Sequence, residues 1–150
     1  MSFDLSSTSW SFSGEGDGTE VAPYVITDVT QLQEMNLDLE AHYVLGNNID
    51  ASETASWNEG EGFRPVGTFG KSFSGSLDGK GYQIQDLFIN RPLSDNVGLF
   101  GYTEGATLDN VGIDGGSCSG DDYVGGLVGN NVSTRISHCH SAIDVNGSDD

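Results

Sequence analysis

The sequence predicts an all-β solenoid, in which successive coils of the chain bury their apolar faces against one another. A glycine-bounded phrase occurs twice, first as Gly98-Leu99-Phe100-Gly101 and again as Gly126-Leu127-Val128-Gly129. A period between about 20 and 50 residues is typical of repeat architectures. The chain contains 22 glycines without a collagen period, and they fit a β protein with many tight turns.

Apolar residues follow each copy of the phrase at a similar interval. They are Leu108, Val111 and Ile113 after the first copy, and Ile136, Cys139, Ile143 and Val145 after the second. Steps of three and then two residues fit neither a straight strand nor a helix. This spacing indicates short strands joined by bends, as in the corners of a solenoid coil.

A third set of apolar residues extends the pattern upstream. Ile84, Leu87 and Ile89 have the same spacing, which aligns Ile84 with Leu108 and Ile89 with Ile113. One equivalent position, just before the second apolar residue, is then occupied by Asp86, Asn110 and His138. Small polar residues favour bends because they bond their own backbone and tolerate left-handed φ values. These three residues are therefore predicted to stack on one another in successive coils.

Before the repeats, the chain predicts a β-rich run and one short helix. The run is Pro23-Tyr24-Val25-Ile26, after a turn signal at residues 14–18. Thr27 or Asp28 can cap the helix, with Gln31 as the capping-box partner of Asp28. Leu32 and Met35 then fall on one helix face. Such a helix would close one end of the solenoid, because a terminal coil otherwise exposes its core and strand edges.

Further β segments follow the helix. Tyr43-Val44-Leu45 and Ile49 predict strand structure, and Phe63-Arg64-Pro65-Val66-Gly67 resumes it after a polar, acidic loop at residues 51–62. Trp57 lies inside that loop and is expected to fold back on the core. Residues 74–79 are predicted to form a turn-rich corner.

The chain divides into a short N-terminal segment and one domain. Residues 1–13 are rich in serine, and Trp10 and Phe12 alternate with it, which fits an edge strand; a partly disordered segment is the alternative. Residues 14–150 form the single solenoid domain, with a cap at about residues 14–62 and regular coils at about residues 63–147.

The two copies of the phrase resemble the GLUG motif, a repeat of large bacterial and archaeal surface proteins. Those proteins include adhesins and IgA-protease-type metallopeptidases. Upstream segments are similar to the region that commonly precedes such repeats, among them Gly16-Asp17-Gly18-Thr19, Pro65-Val66-Gly67 and Leu77-Asp78-Gly79. The resemblance covers about residues 14–147. It implies a parallel β-helix-like solenoid in an extracellular protein.

The expected fold is therefore all-β, a right-handed parallel β-helix or β-solenoid with a short N-terminal capping helix. Glycines at both ends of the phrase permit positive φ or close packing of backbones between coils, while the central apolar residues fill the core. The His-Glu-x-x-His zinc motif does not occur in this sequence, so the resemblance does not carry peptidase activity over.

The charge balance is strongly acidic. Asp and Glu number 23 against 5 Lys and Arg, which gives a net charge of -18. Such a surface repels nucleic acid and anionic membranes. It suits high salt, where screening reduces the self-repulsion of the compact state. No cofactor is expected; calcium binding at residues 14–20 or at Gly120-Asp121-Asp122 is the alternative, although neither matches an EF-hand or RTX repeat.

No catalytic, cofactor-binding or metal-binding residue is predicted. His138-Cys139-His140 contains metal-ligating residue types, but Cys139 aligns with the core position of Val111, so the three side chains are not expected to converge. Cys118 and Cys139 leave two alternatives. They form a disulfide, which would contribute roughly 3 kcal/mol by closing a loop of about 20 residues, or they are two free thiols, one of them buried.

The leading functional hypothesis is a non-catalytic structural or adhesive module of an extracellular or cell-surface microbial protein. One alternative is a subunit that stacks end to end into filaments, because no cap is evident after the last repeat. The other is a carbohydrate-binding or carbohydrate-processing β-helix with Trp57, Tyr82 or Tyr102 as stacking residues. The expected partners are other domains of a longer surface protein, copies of the chain or a glycan, without nucleic acid or membrane insertion.

Overall fold

The computed structural model describes residues 12–147, and this part of the chain is mostly β-strand with one short α-helix. The helix α1 spans Val29–Gln33, and 3₁₀ helices span Glu34–Leu37, Ser52–Ser56 and Asn58–Gly60. The strands are β1 (Tyr24–Ile26), β2 (His42–Leu45), β3 (Ile49–Asp50), β4 (Ser76–Asp78), β5 (Gln83–Asn90), β6 (Phe100–Glu104), β7 (Thr107–Asp109), β8 (Gly112–Ser119), β9 (Val128–Val132), β10 (Arg135–Ser137) and β11 (His140–Asn146). The expectation for the N-terminal segment falls, up to residue 11, outside the described residues.

The strands form three sheets, and within each sheet the neighbouring strands pair in parallel. The first sheet has the order β1-β2-β4-β7-β10, the second β11-β8-β5-β3, and the third β6-β9. From β4 onward, the chain visits the first, second and third sheets in that order and then repeats the cycle. Each strand therefore pairs with the strand one full cycle later rather than with its neighbour in the sequence. We call one such cycle of the chain through the three sheets a coil.

The register of the sheets corrects the predicted alignment of Ile84 with Leu108. Ile84 pairs with Ile113, and Ile89 pairs with Cys118. Ile84, Leu87 and Ile89 all lie within the long strand β5, whereas Leu108 and Ile113 lie on different strands, β7 and β8. Similar apolar spacing thus arises from two different local structures, and spacing alone could not separate them.

The predicted stack of polar residues at the bend is partly confirmed. Asn110 and His138 both have φ of 55° and follow the paired residues Asp109 and Ser137, so they occupy equivalent positions in successive coils. Asp86 also has positive φ, but it lies beside Gly115 within the second sheet, away from Asn110. The error follows from the wrong alignment.

The corner predicted at residues 74–79 contains a strand. Residues Ser76–Asp78 form β4, which pairs with β2 on one side and β7 on the other. The turn comes later, at Lys80 and Gly81, which have φ of 56° and 87°. Small residues there predicted a turn, but Leu77 is buried between Tyr43 and Leu108, and this burial holds the segment in the sheet.

The helix is capped as the sequence predicts. The carboxylate of Asp28 accepts a hydrogen bond from the backbone N–H of Gln31 at 2.8 Å. The side chain of Gln31 reaches back and accepts from the N–H of Thr27 at 2.7 Å. Leu32 and Met35 are fully buried beneath the helical segment. These two apolar contacts fix the helix on the core at the N-terminal end of the sheets.

The core contains a row of aromatic rings that runs through successive coils. Phe12 stacks on Tyr24, with ring centroids 4.6 Å apart, and Tyr24 lies 5.5 Å from Tyr43. Phe73 continues the row and lies 4.8 Å from Phe100. The hydroxyl of buried Tyr43 donates to the carbonyl of Asp38, so this polar group is satisfied in the core.

The glycines of the repeated phrase act through close packing rather than positive φ. Gly98, Gly101, Gly126 and Gly129 are all outside the positive-φ region. A Cβ atom added at Gly101 would lie 2.6 Å from the carbonyl oxygens of Asn96 and Gly67. Backbone from two directions therefore occupies the space that a side chain would need.

We expect Gly101→Val to destabilise the protein by about 2 kcal/mol or more, because backbone from two directions already fills the space that the new side chain needs. Gly70→Val is the matched control, since a Cβ at Gly70 would meet nothing within 4 Å and its φ is not positive. Urea unfolding of both variants measures the effect. Equal losses in the two variants would contradict the packing explanation.

Candidate functional site

The two copies of the repeated phrase lie directly on one another. Phe100 of β6 pairs with Val128 of β9, and the N–H of Leu99 donates to the carbonyl of Gly126 at 3.1 Å. One coil earlier, Val66 occupies the same position, because it bridges to Phe100 in parallel and its N–H donates to the carbonyl of Leu99. The Val66-Gly67 pair is the sequence signal for this third copy of the phrase. The residues before it, Arg64-Pro65, differ from those of the other two copies, so it was not recognisable as a copy from the sequence alone.

Two side-chain amides cover the N-terminal edge of this stack. The amide of Gln33 exchanges two hydrogen bonds, both of 2.8 Å, with the backbone N–H and carbonyl of Arg64. Asn36 accepts from the N–H of Gly67 at 3.1 Å and donates to the carbonyl of Pro65 at 3.2 Å. The two amides hydrogen-bond the backbone of residues 64–67 as a neighbouring strand would. The backbone groups at this edge therefore have partners although no strand lies beside them. Sequence reasoning missed both residues.

The C-terminal end has no corresponding cover among the described residues. We call β9, β10 and β11 the terminal coil; each is the last strand of its sheet. Leu108 is fully buried, but its register partner Ile136 in the terminal coil is 40 % exposed. Cys118 is fully buried, and its partner Val145 is 43 % exposed. Core positions of the preceding coil thus become surface positions here, which makes the terminal coil a candidate association surface.

The His138-Cys139-His140 segment does not converge on one point. The Nδ1 atom of His138 lies 3.1 Å from a carboxylate oxygen of Asp109 on the preceding coil. Cys139 turns inward, and its thiol donates to the carbonyl of Leu108 at 3.6 Å. The ring of His140 lies over Gly112. Within residues 12–147, no group of three or more His, Cys, Asp or Glu side chains could hold a metal ion.

The acidic turns considered for calcium are held by their own hydrogen bonds. The carboxylate of Asp17 accepts from the hydroxyl and the N–H of Thr19, at 2.6 and 3.0 Å, and these bonds lower the pKa of Asp17 below its usual value. The N–H of Asp122 donates to the carboxylate of Asp95 at 3.0 Å. The carboxylates of Asp17 and Asp95 thus stabilise turns, and calcium binding stays a prediction.

One basic residue anchors the loop that carries Trp57. The guanidinium of Arg91 donates to the carbonyls of Gly62 and Phe63 at 3.4 Å and lies 3.5 Å from the carboxylate of Glu61. Partial burial lowers the pKa of Arg91, although Glu61 opposes that shift. Arg91 therefore ties this loop to the core.

The aromatic residues proposed to stack on sugars have different surroundings. Trp57 is almost completely buried, which confirms the expected packing against the core and excludes the alternative role of Trp57 in stacking on a sugar. Tyr82 is exposed at the surface. Tyr102 contacts Phe69, with centroids 5.6 Å apart and nearly perpendicular rings. Phe69 is 77 % exposed, and no sequence signal had selected it.

The structure favours two free thiols over the disulfide. Cys118 and Cys139 are both free. Cys118 lies near the end of β8 and pairs with Val145, whereas Cys139 precedes β11 and lies beside the start of β8, because the next residue, His140, pairs with Gly112. Burial raises the pKa of the Cys118 thiol to about 11 and also raises that of Cys139. The two positions are separated by almost the whole length of the strand β8, which keeps the sulfur atoms apart.

We expect an aromatic disulfide reagent at pH 8 to modify Cys139 at least about tenfold faster than Cys118, because Cys139 is partly exposed and Cys118 is fully buried. Cys139→Ser and Cys118→Ser variants assign the two phases. Denatured, unreduced protein should give two reactive thiols. A single slow phase, or no thiols after denaturation, would contradict the structure.

No family model matches the chain, and no solved structure matches it. The chain is 39 % identical over 130 residues to halomucin of Haloquadratum walsbyi, and 32 % identical over 122 residues to a putative Gly-rich membrane protein of Evansella cellulosilytica. These matches cover 79 % and 77 % of the chain but only 1 % and 14 % of the relatives. In residues 12–147, no helix has the length and hydropathy needed to cross a membrane.

Proposed function

We propose that the chain is a non-catalytic, extracellular β-solenoid module that serves a structural or adhesive role in a microbial surface protein. The observation that carries the proposal is the contrast between the two ends of the stacked sheets. At the N-terminal end, Gln33 and Asn36 cover the edge of the stack that contains β6 and β9, whereas the terminal coil, among the described residues, presents open strand edges with exposed Ile136 and Val145. Such a stack of coils is suited to growth in one direction.

A right-handed parallel β-helix is the architecture that we propose for the coils. Three parallel sheets visited in a fixed order supply the crossover that parallel strands require, since each pair is linked through the other two sheets. Pairing of Tyr43 with Leu77 and of Leu108 with Ile136 closes coils of similar length. The side chains between the sheets, including Leu77 and Phe100, are fully buried. This arrangement supports a solenoid interior.

The comparisons support a location at the cell surface. Both relatives are far longer than the chain, so a module repeated or combined with other domains fits them. The name halomucin suggests a mucin-like protein of a salt-adapted organism, and the GLUG resemblance points in the same direction. A net charge of -18 is tolerated best in molar salt, where the Debye length falls to roughly 3 Å.

The filament alternative receives less support than the module. Head-to-tail stacking requires the N-terminal end to accept the terminal coil of another copy. At that end, the side chains of Gln33 and Asn36 already hydrogen-bond the backbone groups of residues 64–67 that another copy would have to pair with. A further coil of the same polypeptide meets no such obstacle at the terminal coil, as far as the described residues extend, so we favour continuation of the chain over self-assembly.

We expect an added coil to stabilise the protein. A second copy of residues 120–147, appended after Gly147, should cover Val128, Ile136 and Val145 and raise Tm by roughly 5 °C or more. In the matched control, the three corresponding residues of the appended copy are asparagine. Thermal unfolding of the parent and both extended chains measures the effect. An unchanged Tm, or equal shifts in both extensions, would contradict the proposed continuation.

We expect the full-length protein to be accessible on intact cells. An epitope inserted beside Val21, which is 95 % exposed, should bind antibody on intact cells of the source organism as strongly as after lysis. An epitope on a cytosolic enzyme of the same cells is the control and should bind only after lysis. Labelling of the protein only after lysis would overturn the proposed location.

A further inference from the structure

The exposed ring of Phe69 packs against the half-buried ring of Tyr102 from a hydrogen-bonded turn. Phe69 sits at the tip of a tight turn in which the N–H groups of Thr68 and Lys71 each donate to the carbonyl of the other, at 2.9 and 3.1 Å. These bonds restrict the backbone at Phe69, so binding there costs less conformational entropy than binding at an unbonded loop would. Its exposure is therefore a fixed property of the surface.

Both sides of the turn are attached to β6. Phe73 donates its N–H to the carbonyl of Tyr102 at 3.0 Å, and Phe73 bridges in parallel to Thr103. Gly67, with φ of 86°, approaches Tyr102 so closely that an added Cβ would strike its carbonyl oxygen. The turn thus has one position relative to Tyr102, and this holds the two rings in their perpendicular contact.

Polar amides continue the surface on the other side of Tyr102. Asn130 of β9 is its register partner, and register partners in a sheet project from the same face. The Nδ2 atom of Asn130 donates to Oδ1 of Asn96 at 3.3 Å, which orients both amides. Each amide has more donors and acceptors than this one bond uses. Phe69, Tyr102 and the two amides form a stripe across three successive coils, roughly 10 Å from end to end.

This stripe matches the chemistry of a sugar ring. A pyranose has an apolar C–H face that packs on aromatic rings and hydroxyl edges that bond to planar amides. The four side chains of the stripe are uncharged, and the net charge of -18 opposes anionic ligands. We propose that Phe69, Tyr102, Asn96 and Asn130 form a binding site for a neutral oligosaccharide.

The proposal deepens the adhesive role in the proposed function and rests on a separate observation. The aromatic pair lies in the two coils before the terminal coil, to which Asn130 belongs, and its test is sugar binding rather than a change in Tm or cell-surface labelling. A failure to bind sugar would therefore not contradict the proposed module or its proposed location. A failure of the Tm or labelling test would likewise not contradict the binding site, which is tested by sugar binding alone.

The test is direct binding of defined oligosaccharides to the purified chain in 1 M KCl. The probes are the hexamers of β-1,4-glucose, β-1,4-N-acetylglucosamine, β-1,3-glucose and α-1,6-mannose, with a hexamer of galacturonate as the anionic comparison. Saturation-transfer NMR detects binding, and calorimetry gives Kd. We expect at least one neutral hexamer to bind, with Phe69→Ala weakening Kd by at least about tenfold.

The control variant is Tyr82→Ala, which removes another exposed aromatic ring, 39 % exposed, that precedes β5 in the second sheet and is not paired with Tyr102. It should bind as the parent does. Phe69 is a surface residue, so Phe69→Ala should retain the parental Tm, which separates loss of the site from loss of the fold. No binding by the parent, binding of the galacturonate probe alone, unchanged Kd in Phe69→Ala, or equal weakening in Tyr82→Ala would each overturn the proposal.

Discussion

The structure depends on the pairing of strand backbone groups from one coil to the next. The outermost strand of a parallel sheet leaves one row of N–H and carbonyl groups that must bond to other protein groups or to water. At the N-terminal end, the amides of Gln33 and Asn36 supply those partners to residues 64–67. At the terminal coil, the described residues supply none, and the half-exposed Ile136 marks the same deficit in apolar cover. The two ends differ in kind, and the proposed role follows from that difference.

The sequence predicted the features that rest on local chemistry. The Asp28 cap follows from the short reach of a carboxylate to the first helical N–H groups, and the structure shows that bond. The pairing of Phe100 with Val128 follows from the recurrence of one phrase with glycine at fixed positions. Burial of Trp57 was also predictable, since a large apolar ring in a polar loop has only the core to contact.

The sequence could not predict features that depend on contacts between distant coils. By apolar spacing alone, Ile84 can align with either Leu108 or Ile113. It pairs with Ile113 because Ile84 lies in the long strand β5, which pairs with β8. Phe69 reads as an ordinary turn residue, because its exposure depends on how the turn docks on Tyr102. The Gln33 and Arg64 pairing joins distant parts of the chain and has no sequence signal. In each case the deciding neighbour lies one coil away.

The closed N-terminal end also has a consequence for how the protein is made. The chain emerges from the ribosome with its N-terminal part first, so the residues of the helix α1 and of the aromatic row from Phe12 to Tyr43 are synthesised before the later coils. Each new coil then meets a formed sheet edge as its template, and it needs only a loop of about 30 residues to reach it. Folding can thus keep pace with translation, one coil at a time, without any stage that waits for the C-terminus.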